Sequence, residues 1–377
     1  MIKNLSLYIH IPFCKNRCHY CDFYSNTDCS NELQSKYTKA LITSMNVPID
    51  KMEYSIDTVY FGGGTPTMLD AENLVKIIKK IQSSFNLSDD CEITVETNPN
   101  SAKENELKIL KDNGVNRISI GLQSLNNDIL ADIGRTHNSD DFFSCFNAAV
   151  NAGIKNISVD IMYGLPEQSS NDLFDTINKV LALGEKIKHI SLYGLKLEEG
   201  TRMYNKRNSY EFPVEDEEAD MYFEACELLR NNKFEHYEIS NFARSGYRSK
   251  HNLKYWTCGD FLGFGASAHS RFLNKLFYIE PDIHNFIESA FSGKNIFEIS
   301  NYNDVNTLTV EEINEVYIMM SLRTSDGLNL KKINITDSFF AKIQKYINAG
   351  FMHIEGDNCC MTERAFYISN SILADLI

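Results

Sequence analysis

Short apolar runs alternate with longer amphipathic stretches along the first two hundred residues. The runs Leu5–Ile11, Asp57–Phe61, Cys91–Val95, Arg117–Ile120, Ile157–Val159 and Ile187–Leu192 read as six strands. Between them the apolar positions recur with helical spacing. This predicts helices over about 30–45, 70–85, 102–113, 140–152 and 171–183, with a shorter one from Asp128. Gly114 and Gly153 stand where helices commonly end. Strands that alternate with helices predict a parallel sheet. The rhythm fails after Gly194, so the expected fold is a partial, six-stranded β/α barrel rather than a closed eight-stranded one.

Beyond the barrel the pattern changes twice. Glu215 opens a long helix to about Asn231, its acidic first turn suited to the helix dipole. Phe234–Ser240 reads as a strand, followed by an aromatic stretch and a loop of small residues. From about Asn301 a capping-box pattern at Thr309 and Glu312 starts a helix. A second helix, a hairpin around 355–358 and a final helix from Thr362 then predict a winged-helix-like α+β unit. The expected division is a barrel over 1–200, an extension over 201–300 and the C-terminal unit over 301–377.

Composition narrows this picture. No stretch of the 377 residues approaches the length of a membrane span, and the N-terminus lacks a signal-peptide pattern, which predicts a cytoplasmic protein. Ten cysteines in that setting argue for thiolate chemistry and buried thiols rather than disulfides. The net charge of −14 argues against nonspecific nucleic-acid binding. The C-terminal unit likewise carries no basic cluster, which favours an accessory or partner-docking role.

The first strand runs into Cys14-x3-Cys18-x2-Cys21, three cysteines within eight residues. Three thiolates converging from so short a loop suit a [4Fe–4S] cluster with one iron left open. A zinc site completed by His10 or His19, or unrelated buried cysteines, are the alternatives. The second strand ends in Gly62-Gly63-Gly64-Thr65, whose bare backbone permits close approach by a ligand or simply a tight turn. Glu96, Gln123 and Asp160 stand at the C-terminal ends of successive strands, the active-site face of a β/α barrel. Arg135 suits bidentate pairing with a carboxylate, or an ion pair on a helix end. Later, His251-Asn-x-x-Tyr255-Trp256 and the loop Gly263–His269 stand out. An exposed His251 beside two aromatics could ligate and stack on a porphyrin, or be a satisfied loop histidine.

The cysteine spacing after an apolar strand resembles the radical S-adenosylmethionine (radical SAM) superfamily. The wider string Tyr8-Ile-His-Ile-Pro-Phe-Cys14 is similar to one branch of it, the oxygen-independent coproporphyrinogen oxidases and the HemW-type heme chaperones. The resemblance implies a radical SAM barrel in which Cys14, Cys18 and Cys21 hold a [4Fe–4S] cluster and SAM chelates its fourth iron. It also implies SAM contacts from Gly62, Gly63, Gly64, Thr65, Glu96, Gln123, Arg135 and Asp160, with Tyr8 and Gly194 at the same site and Tyr20 beside the adenine.

The H-N-x-x-Y-W stretch with the G-x-G-x-x-A-H-S loop is like the segment associated with heme in the chaperones. That makes His251, with Trp256, the candidate heme contact and His269 a second one. Oxidases of this branch carry a further cysteine where this chain has Phe23, and a longer segment before the cluster loop. These departures favour a heme chaperone that passes heme to an acceptor protein. The competing readings are coproporphyrinogen III oxidase and a radical SAM enzyme acting on heme. Heme, a heme-acceptor protein, an electron donor, peripheral contact with a membrane-bound acceptor and a homodimer are the implied partners.

Overall fold

The computed structural model describes residues 2–377. Six parallel strands, β1 (Lys3–Ile11), β2 (Tyr54–Gly63), β3 (Leu87–Thr97), β4 (Arg117–Gln123), β5 (Asn156–Tyr163) and β6 (Ile187–Gly194), lie side by side in chain order. Helices α1 (Asn31–Ser44), α2 (Ala71–Ser84), α3 (Glu104–Asp112), α4 (Asn127–Asp132), α5 (Ser139–Asn151) and α6 (Ser170–Leu181) make the crossovers. Capping bonds set several of these starts: Asp70 accepts from the Asn73 amide, Asn138 from Asp141 and Ser169 from Asp172. β6 does not return to β1, so the sheet stays open, as a partial barrel requires.

The two faces of this sheet differ in chemistry. Leu5, Leu7, Ile9, Ile11, Val59, Phe61, Ile93 and Val95 pack outward with α1 and α2 in one apolar core. Ile118, Ile120, Leu122, Ile157, Val159, Ile161, Ile190 and Leu192 do the same with α5 and α6 in a second. The alternate positions point inward and are mostly polar: Tyr8 and His10, Thr58 and Tyr60, Glu96, Ser119, Asp160, His189 and Tyr193. Bonds across the lumen join them, from Tyr60 to Glu96, Ser119 to Asp160, Ser158 to His189 and Tyr193 to Gln123.

The extension adds strands to both edges of the sheet. After α7 (Arg202–Asn205) and α8 (Glu215–Asn231), the expected strand over 234–240 is instead a hairpin. β7 (Glu235–Glu238) and β8 (Asn241–Ala243) reverse at Ile239 and Ser240, and β8 pairs antiparallel with β6. After α9 (Lys250–Trp256), β9 (Phe261–Phe264) runs parallel to β1 on the other edge. Residues 265–268 are therefore a turn between strands, because β10 (His269–Phe272) folds back against β9 and also pairs with β11 (Lys275–Tyr278). A Cβ at Gly263 would lie 2.2 Å from the His269 carbonyl oxygen, so the small side chains serve that tight return. Helices α10 (Ile283–Phe291) and α11 (Ile296–Ile299) lead on to the C-terminal unit.

That unit holds α12 (Val310–Ser321), β12 (Leu328–Asn329), α13 (Asp337–Asn348), β13 (Met352–Glu355), β14 (Asn358–Met361), α14 (Glu363–Tyr367) and α15 (Ser369–Leu376). Its three strands form a separate sheet in the order β12-β14-β13, over an apolar cluster of its own. The Ile239 amide donates to the Arg323 carbonyl and the Ser325 amide to the Tyr237 carbonyl, which stitches the unit to β7. No helix among the described residues is long and apolar enough to cross a membrane.

Candidate functional site

The cysteine loop is held at both ends. The Cys14 amide donates to the Asn26 carbonyl at 3.0 Å, and the Asn26 amide to the Pro12 carbonyl at 2.6 Å. The end of α4 grips its middle: the His19 amide meets the Ile133 carbonyl at 2.9 Å, and Asn16 Nδ2 donates to the Gly134 carbonyl at 3.2 Å. Cys14, Cys18 and Cys21 are free, half-buried thiols. Burial pushes the Cys21 thiol up to about 11 and raises that of Cys14, and each also feels its neighbours' charge. His10 is not a spare ligand for them. Its Nδ1 meets the Tyr8 hydroxyl at 3.1 Å and its Nε2 the Tyr24 carbonyl at 3.0 Å. Burial holds its pKa down to about 4.

The glycine run fits against this loop. Gly63 has φ +109, and a Cβ there would lie 2.6 Å from the His10 ring. A Cβ on Gly64 would lie 2.8 Å from the Phe13 carbonyl oxygen and 3.0 Å from Cys14 Sγ. Thr65 donates its amide to the Phe13 carbonyl, and its hydroxyl stands 3.6 Å from Cys14 Sγ. Gly62 to Thr65 thus seat the loop, with the Gly64 amide also donating to the Ile11 carbonyl at 2.9 Å.

Arg135, Glu96, Asp160 and Gln123 line the lumen, with Arg135 against the loop itself. Arg135 Nη2 donates to Asn98 Oδ1 and to the Gly121 carbonyl, both at 2.6 Å, while Nη1 stands 3.5 Å from Cys18 Sγ. Arg135 is therefore an inward guanidinium beside Cys18, not an ion pair on a helix end. Tyr20 lies next to it and, like Tyr193 and Leu195, packs against the apolar cluster of Ile129, Leu130, Ile133 and Leu165. Glu96 accepts from Tyr60 at 2.6 Å, and burial, with Asp160 adding to it, pushes its carboxyl up to about 7. Asp160 is raised by burial too, against the hydroxyl of Ser119 at 3.1 Å. Gln123 takes φ 70 and accepts from Tyr193 at 2.8 Å. Gly194 lies under the Tyr163 ring, 3.0 Å from where a Cβ would stand.

The structure corrects one premise about the aromatic stretch. His251 is not exposed: it is 1% accessible, on the inner side of α9. Nδ1 meets the Thr58 hydroxyl at 2.7 Å and Nε2 the Tyr255 hydroxyl at 2.8 Å, so neither nitrogen is open to an iron in this arrangement. Burial holds its pKa down to about 3. Trp256 is half-buried, its ring covered by the Arg323 guanidinium at 5.1 Å. His269 is exposed and stacks on Tyr278 with ring centroids 5.5 Å apart.

Sequence reasoning passed over Arg117. It is 2% accessible within the lumen, and its Nε has no hydrogen-bond partner. Its charge acts on Glu96, Asp160, His189 and His251 alike. The available signal was a charged residue opening an otherwise apolar strand.

The radical SAM superfamily matches residues 8–180. The heme chaperone HemW of Bacillus subtilis (strain 168) is 35% identical over 97% of this chain and 97% of its own length. HemW of Lactococcus lactis is 32% identical over 98% of this chain and 96% of its own. A bovine mitochondrial radical S-adenosyl methionine domain-containing protein 1 is 36% identical over 72% of this chain. Among solved structures, coproporphyrinogen III oxidase (HemN) from Escherichia coli superposes with a TM-score of 0.84 over 100% of this chain and 90% of its own. Its identity is 19%, so that likeness speaks for the fold alone. With overlap reaching nearly end to end of its bacterial relatives, the chain belongs to the HemW family of radical SAM proteins.

Proposed function

We propose that this protein is a heme chaperone, binding heme and handing it to an acceptor protein from a radical SAM scaffold. The observation that carries this reading is the extent of the kinship. Relatives named heme chaperone match through the extension and the C-terminal unit as well as the barrel. Phe23 supports it, because the position where related oxidases carry a further thiol holds a phenyl ring that is 65% exposed.

The residues present suit a cluster and SAM. Cys14, Cys18 and Cys21 would hold [4Fe–4S], and Gly64 leaves the space beside Cys14 that a Cβ would fill. A cluster so held would supply one-electron reduction of the SAM sulfonium, its electron coming from an external donor. Gly62 to Thr65, Glu96, Gln123, Asp160, Gly194, Tyr8 and Tyr20 would line the SAM site. Glu96, raised by burial, would return to its charged form beside an ammonium, and Arg135 would face a carboxylate. For heme, His269 and Trp256 are the contacts that solvent already reaches, whereas His251 would first have to leave Thr58 and Tyr255. The division at 200 and 300, an electron donor, a homodimer, contact with a membrane-bound acceptor and a cytoplasmic setting belong to the same reading.

The test is anaerobic. Cluster-reconstituted protein is given SAM and a strong reductant, with coproporphyrinogen III in one arm and heme in the other. Stoichiometric heme uptake without decarboxylation is expected. Decarboxylated porphyrinogen would establish the oxidase instead, and SAM-dependent modification of heme would establish an enzyme acting on heme.

A further inference from the structure

Far along the chain from the cluster loop, Cys226, His236 and Glu363 bring a thiol, an imidazole and a carboxylate together. Their donor atoms all lie within 4.8 Å of one another. The three come from α8, β7 and the first turn of α14, so they join the barrel extension to the C-terminal unit.

His236 is the informative member. Its Nε2 stands 3.2 Å from the Ile239 carbonyl, which fixes the proton on that nitrogen. Nδ1 then carries the lone pair, is buried and has no hydrogen-bond partner. An imidazole oriented by a backbone carbonyl through one nitrogen, with the other left bare, is the arrangement that metal-bound histidines adopt. A bare acceptor shut away from water is otherwise costly. The ring cannot easily turn to relieve it. Phe242 stacks on it with centroids 4.0 Å apart, and Phe366 meets it edge-on at 5.1 Å.

The other two donors are also held in place. Arg230 Nη2 donates to both oxygens of Glu363, at 2.6 and 2.7 Å. Cys226 is fully buried on α8, near both the Tyr222 hydroxyl and Glu363. Ligating carboxylates are themselves usually hydrogen-bonded in this way.

We propose that Cys226, His236 and Glu363 bind a zinc ion, with water as the fourth ligand, and that the ion staples α14 to α8 and β7. A soft thiolate beside an imidazole selects zinc over magnesium or calcium. Bonds of about 2.0–2.3 Å to a tetrahedral ion set its donors roughly 3.3–3.8 Å apart, so the trio closes by about 1 Å. Binding forms one S–Zn, one N–Zn and one O–Zn bond to the protein, keeps one water of the hydrated ion while the other waters leave, and releases the Cys226 thiol proton to solvent. Thiolate and carboxylate offset the ion's double charge, and Arg230 keeps its contact with the carboxylate oxygen that zinc leaves free.

The experiment uses the full, cluster-loaded chain, incubated anaerobically with zinc sulfate and gel-filtered. Zinc and iron are counted by mass spectrometry, and the zinc shell is read by X-ray absorption. One zinc per chain with a single sulfur neighbour is expected. Cys226→Ser and Glu363→Gln should each weaken zinc retention at least tenfold with iron content unchanged. Glu363 is partly exposed, so its amide variant should fold even if the buried serine disturbs α8. Zinc should also raise the melting temperature of the wild type and leave that of Glu363→Gln where it was. Absence of zinc from the wild type, retention in both variants equal to that of the wild type, or a shell of three sulfurs (zinc on the cluster loop) would each overturn the site.

Discussion

The rings of His251 and Tyr60 stack with centroids 4.9 Å apart and planes 22° apart. Tyr60 in turn donates to Glu96, and Tyr8 completes the stack on His251 at 6.4 Å. The segment that would be read as a heme ligand therefore packs behind Glu96, the carboxylate proposed for the SAM site. Replacing His251 with Ala removes two buried hydrogen bonds and its aromatic contacts with Tyr8, Tyr60 and Tyr255, and on the order of 2–4 kcal/mol of stability should go with them. SAM affinity should fall as Glu96 loses its support, while heme stoichiometry holds. Thermal melting, SAM equilibrium dialysis and heme titration separate these effects. A variant that melts like the wild type but no longer takes up heme would mean that His251 swings out to the iron.

Gly63 answers to two constraints at once. Its φ of +109 strains any L side chain, and the His10 ring occupies the place a Cβ would take. His10 cannot yield without breaking its bonds to Tyr8 and to the Tyr24 carbonyl, which lies just past the cluster loop. Gly63→Ala should cost about 2 kcal/mol or more and leave the loop misplaced. Iron per chain after reconstitution should drop several-fold. Gly184→Ala serves as the control, because it also has a positive φ, of +72, while a Cβ there meets nothing within 4 Å. It should lose less stability and keep its iron.

Arg117 is a buried cation with an unpartnered Nε and two carboxylates raised by burial in the same lumen. A buried charge without close pairing is expensive, so an apolar side chain of similar length should be tolerated. Arg117→Met is expected to raise the unfolding free energy of the ligand-free protein by about 1–3 kcal/mol. The same change should push Glu96 further up, since the guanidinium is one of the groups holding it down. Denaturant melts give the first quantity, and the pH dependence of SAM binding gives the second. Loss of stability would mean that the guanidinium is paired through ordered water.

The outward residues of β1 to β6 made those strands legible, because an unbroken apolar face buried under helices leaves a plain pattern. The cluster loop and the strand-end carboxylates were legible for a related reason, since polar groups at those positions have no packing role. The burial of His251 was not. It depends on α9 folding under Thr58, 193 positions away in the chain, and no local pattern reports that. The break between β7 and β8 was equally hidden, because the reversal at Ile239 and Ser240 uses neither glycine nor proline. Arg117 reads locally as a strand-opening surface charge, and only the curl of the sheet turns it inward.

Glu238 makes the stability of the C-terminal junction depend on pH. It is buried where β7 meets Thr324, it accepts from Asn241, and Arg323 is the nearby cation. Burial raises its carboxyl to about 7, from an ordinary value of 4.5. The folded state thus holds a proton that the unfolded chain has given up over that interval. The stabilisation is fully present below about pH 4.5 and is lost as pH rises through 7, amounting to an order of 3 kcal/mol for a shift of this size. Glu238→Gln keeps the shape and removes the titration. Its unfolding free energy should match the wild type near pH 5 and exceed it above pH 7. Glu96 contributes with the same sign, so the variant should flatten the profile only in part, and Glu96→Gln in the same background should flatten it further. Urea melts at intervals from pH 5 to 8.5 measure this. A variant curve parallel to the wild type would mean that Glu238 is ionised in the folded protein, paired with Arg323.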